Sequence, residues 1–137
     1  MIERKVVIAT HGSLAEGFLS ALRIIVGENE NLTAVNCYTT TDFNLDETVS
    51  RVLAESEGKE LFVFTDLLGG SVNNGFFARL NDYKFHLITN TSLGLLMDCS
   101  LTNPNADELR EKLGSGQFSA VYCNDLCENM ELDEDDL

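Results

Sequence analysis

Val6-Val7-Ile8-Ala9-Thr10-His11-Gly12-Ser13 decides the fold class. Its first four residues form an unbroken apolar run, the pattern of a strand buried on both faces. A polar turn containing glycine follows. Leu14, Phe18, Leu19, Leu22 and Ile25 then recur at helical spacing up to Gly27, a residue type that commonly closes helices. Outward from this unit the alternation repeats. A second strand is expected over 32–38 and a helix over 46–56 with Gly58 behind it. Leu61-Phe62-Val63-Phe64 reads as a third strand ending in Thr65-Asp66, followed by a helix from Ser71 to Leu80. A fourth strand is expected over Phe85–Thr89, helices over 93–100 and 106–113, and a last short strand over Phe118–Cys123. Strands alternating with helices predict an α/β fold, a mainly parallel sheet covered by helices on both faces.

The 137 residues suit one domain. Pro104 is the single proline, and no linker rich in Gly, Ser or Pro interrupts the pattern. Residues 1–130 are therefore read as one domain. Residues 131–137, five of them acidic, are read as a solvated, frayed tail. With 23 acidic and 9 basic side chains the formal net charge is −14. That balance argues against binding nucleic-acid backbone, which needs clustered Lys and Arg, and against docking on an anionic membrane. At 44% hydrophobic residues the chain still has ample material for a core. The apolar run after Arg4-Lys5 is too short for a secretory leader, and nothing later is long enough to span a bilayer. The reading is a cytoplasmic protein with no direct membrane insertion. Cys37, Cys99, Cys123 and Cys127 lack the paired short spacings of a zinc site, so reduced thiols, no metal and no bound cofactor are expected.

In an open parallel sheet, ligands bind beyond the carboxyl ends of the strands, at the point where strand order reverses. Two strand ends here carry reactive groups: Thr10-His11-Gly12-Ser13 and Asp66-Leu67-Leu68-Gly69-Gly70-Ser71. If strands one and three are neighbours, His11 and Asp66 face each other across the crevice. A carboxylate bonded to one ring nitrogen fixes the tautomer and leaves the other nitrogen with a free lone pair. Glycine lets the backbone come close, so the N–H groups of Gly12, Gly70 and Ser71 are candidate donors to an anion. The combination suits an imidazole that attacks a phosphoryl group. Each part has a blander reading: a surface histidine, a helix-starting Gly-Gly-Ser, an N-capping aspartate. Their joint occurrence at two strand ends favours the reactive one. His86, inside the fourth-strand pattern, is read as a packed strand histidine. The phosphate loop Gly-x-x-x-x-Gly-Lys-Ser/Thr, the dinucleotide fingerprint and the Gly-x-Ser-x-Gly elbow are all absent. A histidine phosphatase would carry arginine where Thr10 stands.

These residues resemble the enzyme IIA domain of the mannose-type phosphotransferase system (PTS), which brings sugars into bacteria. The resemblance spans essentially the whole chain. It rests on the first strand ending in Thr10-His11-Gly12 and on Phe62-Val63-Phe64-Thr65-Asp66 leading into Gly69-Gly70-Ser71 and Asn74. It implies that His11 accepts a phosphoryl group from phospho-HPr on its distal ring nitrogen and passes it to a separate IIB component. Sugar phosphorylation and uptake through the membrane components IIC and IID would follow. Asp66 would be the orienting aspartate, and Gly69, Gly70 and Ser71 the phosphoryl cradle beside Gly12. The implied sheet has the order 2-1-3-4, with a fifth, antiparallel strand (Phe118–Cys123 here) exchanged between the subunits of a homodimer. Departures fall at Leu68 and Val72, where many members carry an aromatic and a proline, and over Asn90–Leu96. Three alternatives stay open at this point. They are the phosphotransferase subunit of a bacterial dihydroxyacetone kinase, a non-catalytic regulatory module of the same fold, and a small-anion binding module.

Overall fold

A computed structural model describes residues 2–127, so the acidic tail and the 130/131 boundary lie outside the described residues. The principal elements among the described residues are, in chain order, β1 (Arg4–His11), α1 (Leu14–Ile25), β2 (Leu32–Cys37), α2 (Leu45–Glu55), β3 (Glu60–Thr65), α3 (Ser71–Phe77), β4 (His86–Ile88), α4 (Leu93–Thr102) and α5 (Ala106–Gly114). The four strands pair in parallel in the order β2-β1-β3-β4. Between β1 and β3 the order reverses, because the chain first steps from β1 to β2 and then crosses back to β3.

Burial explains the apolar runs. Val7, Ile8, Ala9 and Thr10 of β1 and Leu61 through Thr65 of β3 are all buried, as central strands covered on both faces must be. Alternate residues feed two cores. On one face Val7, Ala9, Leu61 and Val63 pack with Val49, Val52 and Leu53 of α2 and with Val72 and Phe76 of α3. On the other, Ile8, Phe62, Phe64 and Ile88 pack with Ala15 and Leu22 of α1, Leu95 and Leu96 of α4, and Leu109 of α5. The result is the expected three-layer arrangement. Gly75 lets α3 lie close against α2: a Cβ there would meet Leu45 Cδ2 at 3.0 Å.

Three expectations shift. α3 ends at Phe77 rather than Leu80, because the Arg79 and Leu80 N–H groups bond three residues back, to Phe76 and Phe77. Those are turn bonds, not α-helical ones. β4 is shorter than expected, only His86–Ile88. Phe118–Cys123 forms no strand. Residues 115–118 are turn, residues 120–122 carry no regular structure, and Cys123 starts a short helical stretch running to Cys127. Phe118 instead packs, partly buried, against the second core. Among the described residues, no helix is long and apolar enough to cross a membrane.

Candidate functional site

At the carboxyl end of β1 the strand runs two residues past its pairing with β3, which delivers His11 to the crevice. Thr10 is fully buried, and its hydroxyl accepts the Ala15 N–H at 2.7 Å, so it caps the first turn of α1. Asn36 of β2 accepts the next N–H, that of Glu16, at 3.2 Å. The turn between them is tight: Gly12 adopts φ 60°, a left-handed conformation that favours glycine.

Asp66 follows β3 directly, and one of its carboxylate oxygens holds His11 twice. Oδ2 accepts from the His11 main-chain N–H at 2.9 Å and lies 2.9 Å from Nδ1 of the ring. The other oxygen accepts the Leu67 N–H at 3.1 Å. Burial alone would raise the Asp66 carboxyl. The hydrogen bonds from the His11 main chain and ring, its own main-chain N–H and the proximity of His11 outweigh it and hold the carboxyl below its ordinary value. An ionised carboxylate only accepts, so the shared proton sits on Nδ1, and in the neutral ring the lone pair is then the one on Nε2. Ser71 Oγ lies 3.2 Å from Nε2, on the side from which a reacting group would come.

The loop from Asp66 to Ser71 is braced from three directions. Asn90, after β4, accepts the Leu68 N–H at 3.0 Å. Asn74 of α3 donates to the Gly69 carbonyl at 3.1 Å. Beneath, the buried Thr65 hydroxyl donates to Asn73 Oδ1 at 2.7 Å, tying β3 to α3. Gly70 is required by space: a Cβ there would stand 3.2 Å from the Leu67 carbonyl oxygen and 3.4 Å from His11 Cε1.

The residues expected at the site thus meet, but two expected donors are engaged elsewhere. The Gly12 N–H bonds the Cys37 carbonyl at 2.8 Å, and the Gly70 N–H bonds the Leu67 carbonyl at 3.1 Å. The first continues the pairing of β1 with β2, and the second closes the local turn. Donors facing an anion are therefore the Ser71 hydroxyl and the first-turn N–H groups of α3, which have no intrahelical partner. Sequence reasoning missed Tyr38. Its ring stacks on His11, with centroids 5.5 Å apart and planes 18° apart. The signal lay in the implied order 2-1-3-4, which sets the end of β2 beside the end of β1. His86 lies away from this site, stacked on Phe62 at 4.3 Å and 3.3 Å from Glu60. Of the departures, Val72 is buried core while Leu68 is 72% exposed beside the site. Cys37 sits next to His11 in the sheet register, but burial, then the Asp66 charge, push its thiol up to about 11, which leaves no thiolate nucleophile. Among the described residues no group of three or more His, Cys, Asp or Glu side chains could hold a metal ion.

Comparison with known proteins bears on this geometry. Residues 5–114 match a family described as EIIA-man, PTS system fructose IIA component. Among solved structures, the chain is similar to a candidate phosphoenolpyruvate-dependent sugar PTS permease from Klebsiella pneumoniae, with 32% identity and a TM-score of 0.80 over 90% of this chain and 93% of that one. It is similar to PTS component EIIA from Streptococcus agalactiae at 27% identity and a TM-score of 0.74, over 88% of this chain and 98% of the other. A mannose/sorbose-specific IIA subunit from Enterococcus faecalis shares the fold, at 21% identity and a TM-score of 0.72, over 88% and 95% of the two chains. No curated protein matches.

Proposed function

Since the chain belongs to the EIIA-man family and is a IIA-type component of a sugar phosphotransferase system, we propose that it is a phosphohistidine carrier working through His11. The Nε2 lone pair bonds to phosphorus as the bond from phosphorus to the donor, phospho-HPr, breaks. The proton stays on Nδ1, hydrogen-bonded to the Asp66 carboxylate, whose negative charge stabilises the ring as it becomes positive. A second transfer reverses the step towards a separate IIB component, and sugar uptake through IIC and IID follows. Ser71 and the start of α3, behind Gly69 and Gly70, receive the phosphoryl oxygens. The chain uses no metal, nucleotide or other cofactor, and it works in the cytoplasm as a homodimer.

The observation that supports this reading best is the 2.9 Å contact between Nδ1 and the Asp66 carboxylate, which leaves Nε2 as the available nucleophile. Incubation with phosphoenolpyruvate, enzyme I and HPr should add one phosphoryl group to the intact mass. His11→Ala should add none; uptake by that variant would place the chemistry elsewhere. Transfer onward to a IIB chain, rather than to a nucleotide-bearing kinase subunit, distinguishes sugar uptake from the dihydroxyacetone kinase alternative.

A further inference from the structure

Resting on that carrier reading, we infer that Tyr38 is a positioning residue that fixes the plane of the His11 ring for phosphoryl transfer. The ring-nitrogen contacts of His11 are accounted for: Asp66 at Nδ1 and Ser71 at Nε2. Neither of them stops the ring from tilting out of its plane. Tyr38 does, because its ring lies nearly parallel over one face of the imidazole, at a centroid distance within the usual stacking range. Phe43, partly buried against the α2/α3 core, backs Tyr38 in turn, with ring centroids 4.6 Å apart.

The backbone supplies the second, independent sign. Side chains alternate along a strand, so a residue continuing β2 in extended form would turn away from the face that Cys37 and His11 share. Tyr38 instead adopts φ 64°, a left-handed conformation that a bulky residue enters only under strain. That conformation takes the chain out of the strand direction and sets the ring on His11. Tyr38 is nevertheless 49% exposed, so burial gives little return for the strain. Strain held at an exposed residue in contact with the reacting group is better explained by the site than by the core. As Nε2 gives its lone pair to phosphorus, the imidazole gains positive charge, which the electron-rich face of the tyrosine ring favours.

Glycine separates the two explanations, since it relieves the strain and removes the ring. Phosphoryl uptake from phospho-HPr is measured in single turnover, beside thermal unfolding, for Tyr38→Gly, Tyr38→Ala and Tyr38→Phe. The expected result is a maximal rate about 5-fold lower for Tyr38→Gly and Tyr38→Ala, from the size of an exposed cation–π contact and the lost orientation. The half-saturating HPr concentration should stay unchanged, Tyr38→Phe should restore the rate, and Tyr38→Gly should unfold no earlier than the wild type. Three results would overturn the role: Tyr38→Gly transferring as fast as wild type, slow transfer found only with lowered stability, or a changed half-saturating concentration at an unchanged maximal rate. If His11→Ala took up phosphate as well as the wild type, the carrier reading itself would fall. An inert His11→Ala beside a fully active Tyr38→Gly removes only the tyrosine.

Discussion

Asp66 ties the backbone and the ring of one histidine to the same carboxylate oxygen, so its loss frees both. Asp66→Ala should slow phosphoryl uptake by roughly 10²-fold, the low end of what a positioned proton partner contributes; stopped-flow or quenched transfer assays read this directly. The same pair gives a signed pH dependence. A carboxyl held low in the folded state binds fewer protons there than in the unfolded chain. Its stabilisation is thus complete above the unfolded value, near pH 4, and is lost as pH falls through the lower folded value. Denaturant titrations between pH 7 and pH 3 should show Asp66→Asn losing less stability on acidification than wild type. Equal slopes would mean that the carboxylate is not held low. Gly70→Ala puts a Cβ against a rigid carbonyl and the His11 edge, and it should cost roughly 1–3 kcal/mol by overpacking together with a slower transfer. At this scale the sequence pointed to the His11–Asp66 pair through residue type and position at two strand ends. It could not show that the Gly12 N–H bonds the Cys37 carbonyl of β2 or that the Gly70 N–H closes its own turn, because backbone bonding partners follow from how neighbouring segments are placed.

Among the elements, β1 and β3 were legible because continuous burial leaves a continuous apolar run, and α1 because its apolar residues repeat at helical spacing. The ends were less so. α3 carries Gly75 and stops where its bonding tightens, a local choice that apolar spacing does not record. Phe118–Cys123 has a strand-like composition but no strand beside it in the chain, and composition cannot say whether a pairing edge is available. Thr10 illustrates an element held by a residue outside it. Thr10→Val removes the acceptor for the buried Ala15 N–H and should destabilise the fold by about 1–2 kcal/mol, readable as a lowered urea midpoint at constant slope. Its spatial closeness to His11 should make transfer slow in parallel; an unchanged rate would show that the α1 start tolerates the loss.

For the whole molecule, the net charge of −14 on 137 residues belongs to encounter rather than to fold. A carrier meeting two partners in turn benefits from fast, loose association, so transfer from HPr should slow steeply between low and high salt. Truncation after Met130 removes five of the acidic groups and should leave the maximal transfer rate within about 2-fold, since the proposed site lies on β1, α3 and the loop after β3. A collapse on truncation would assign the tail to the docking surface. The sequence by itself determined the α/β class, the burial of β1 and β3, and which residues are candidates for the site, because periodicity and residue chemistry are local properties. Only the tertiary structure decided which groups touch. The parallel pairing of β1 with β3 sets His11 on Asp66, and the crossing from β2 lays Tyr38 over the same ring. Those contacts join residues tens of positions apart, and their distances are set by how strands register, which no single stretch of chain encodes.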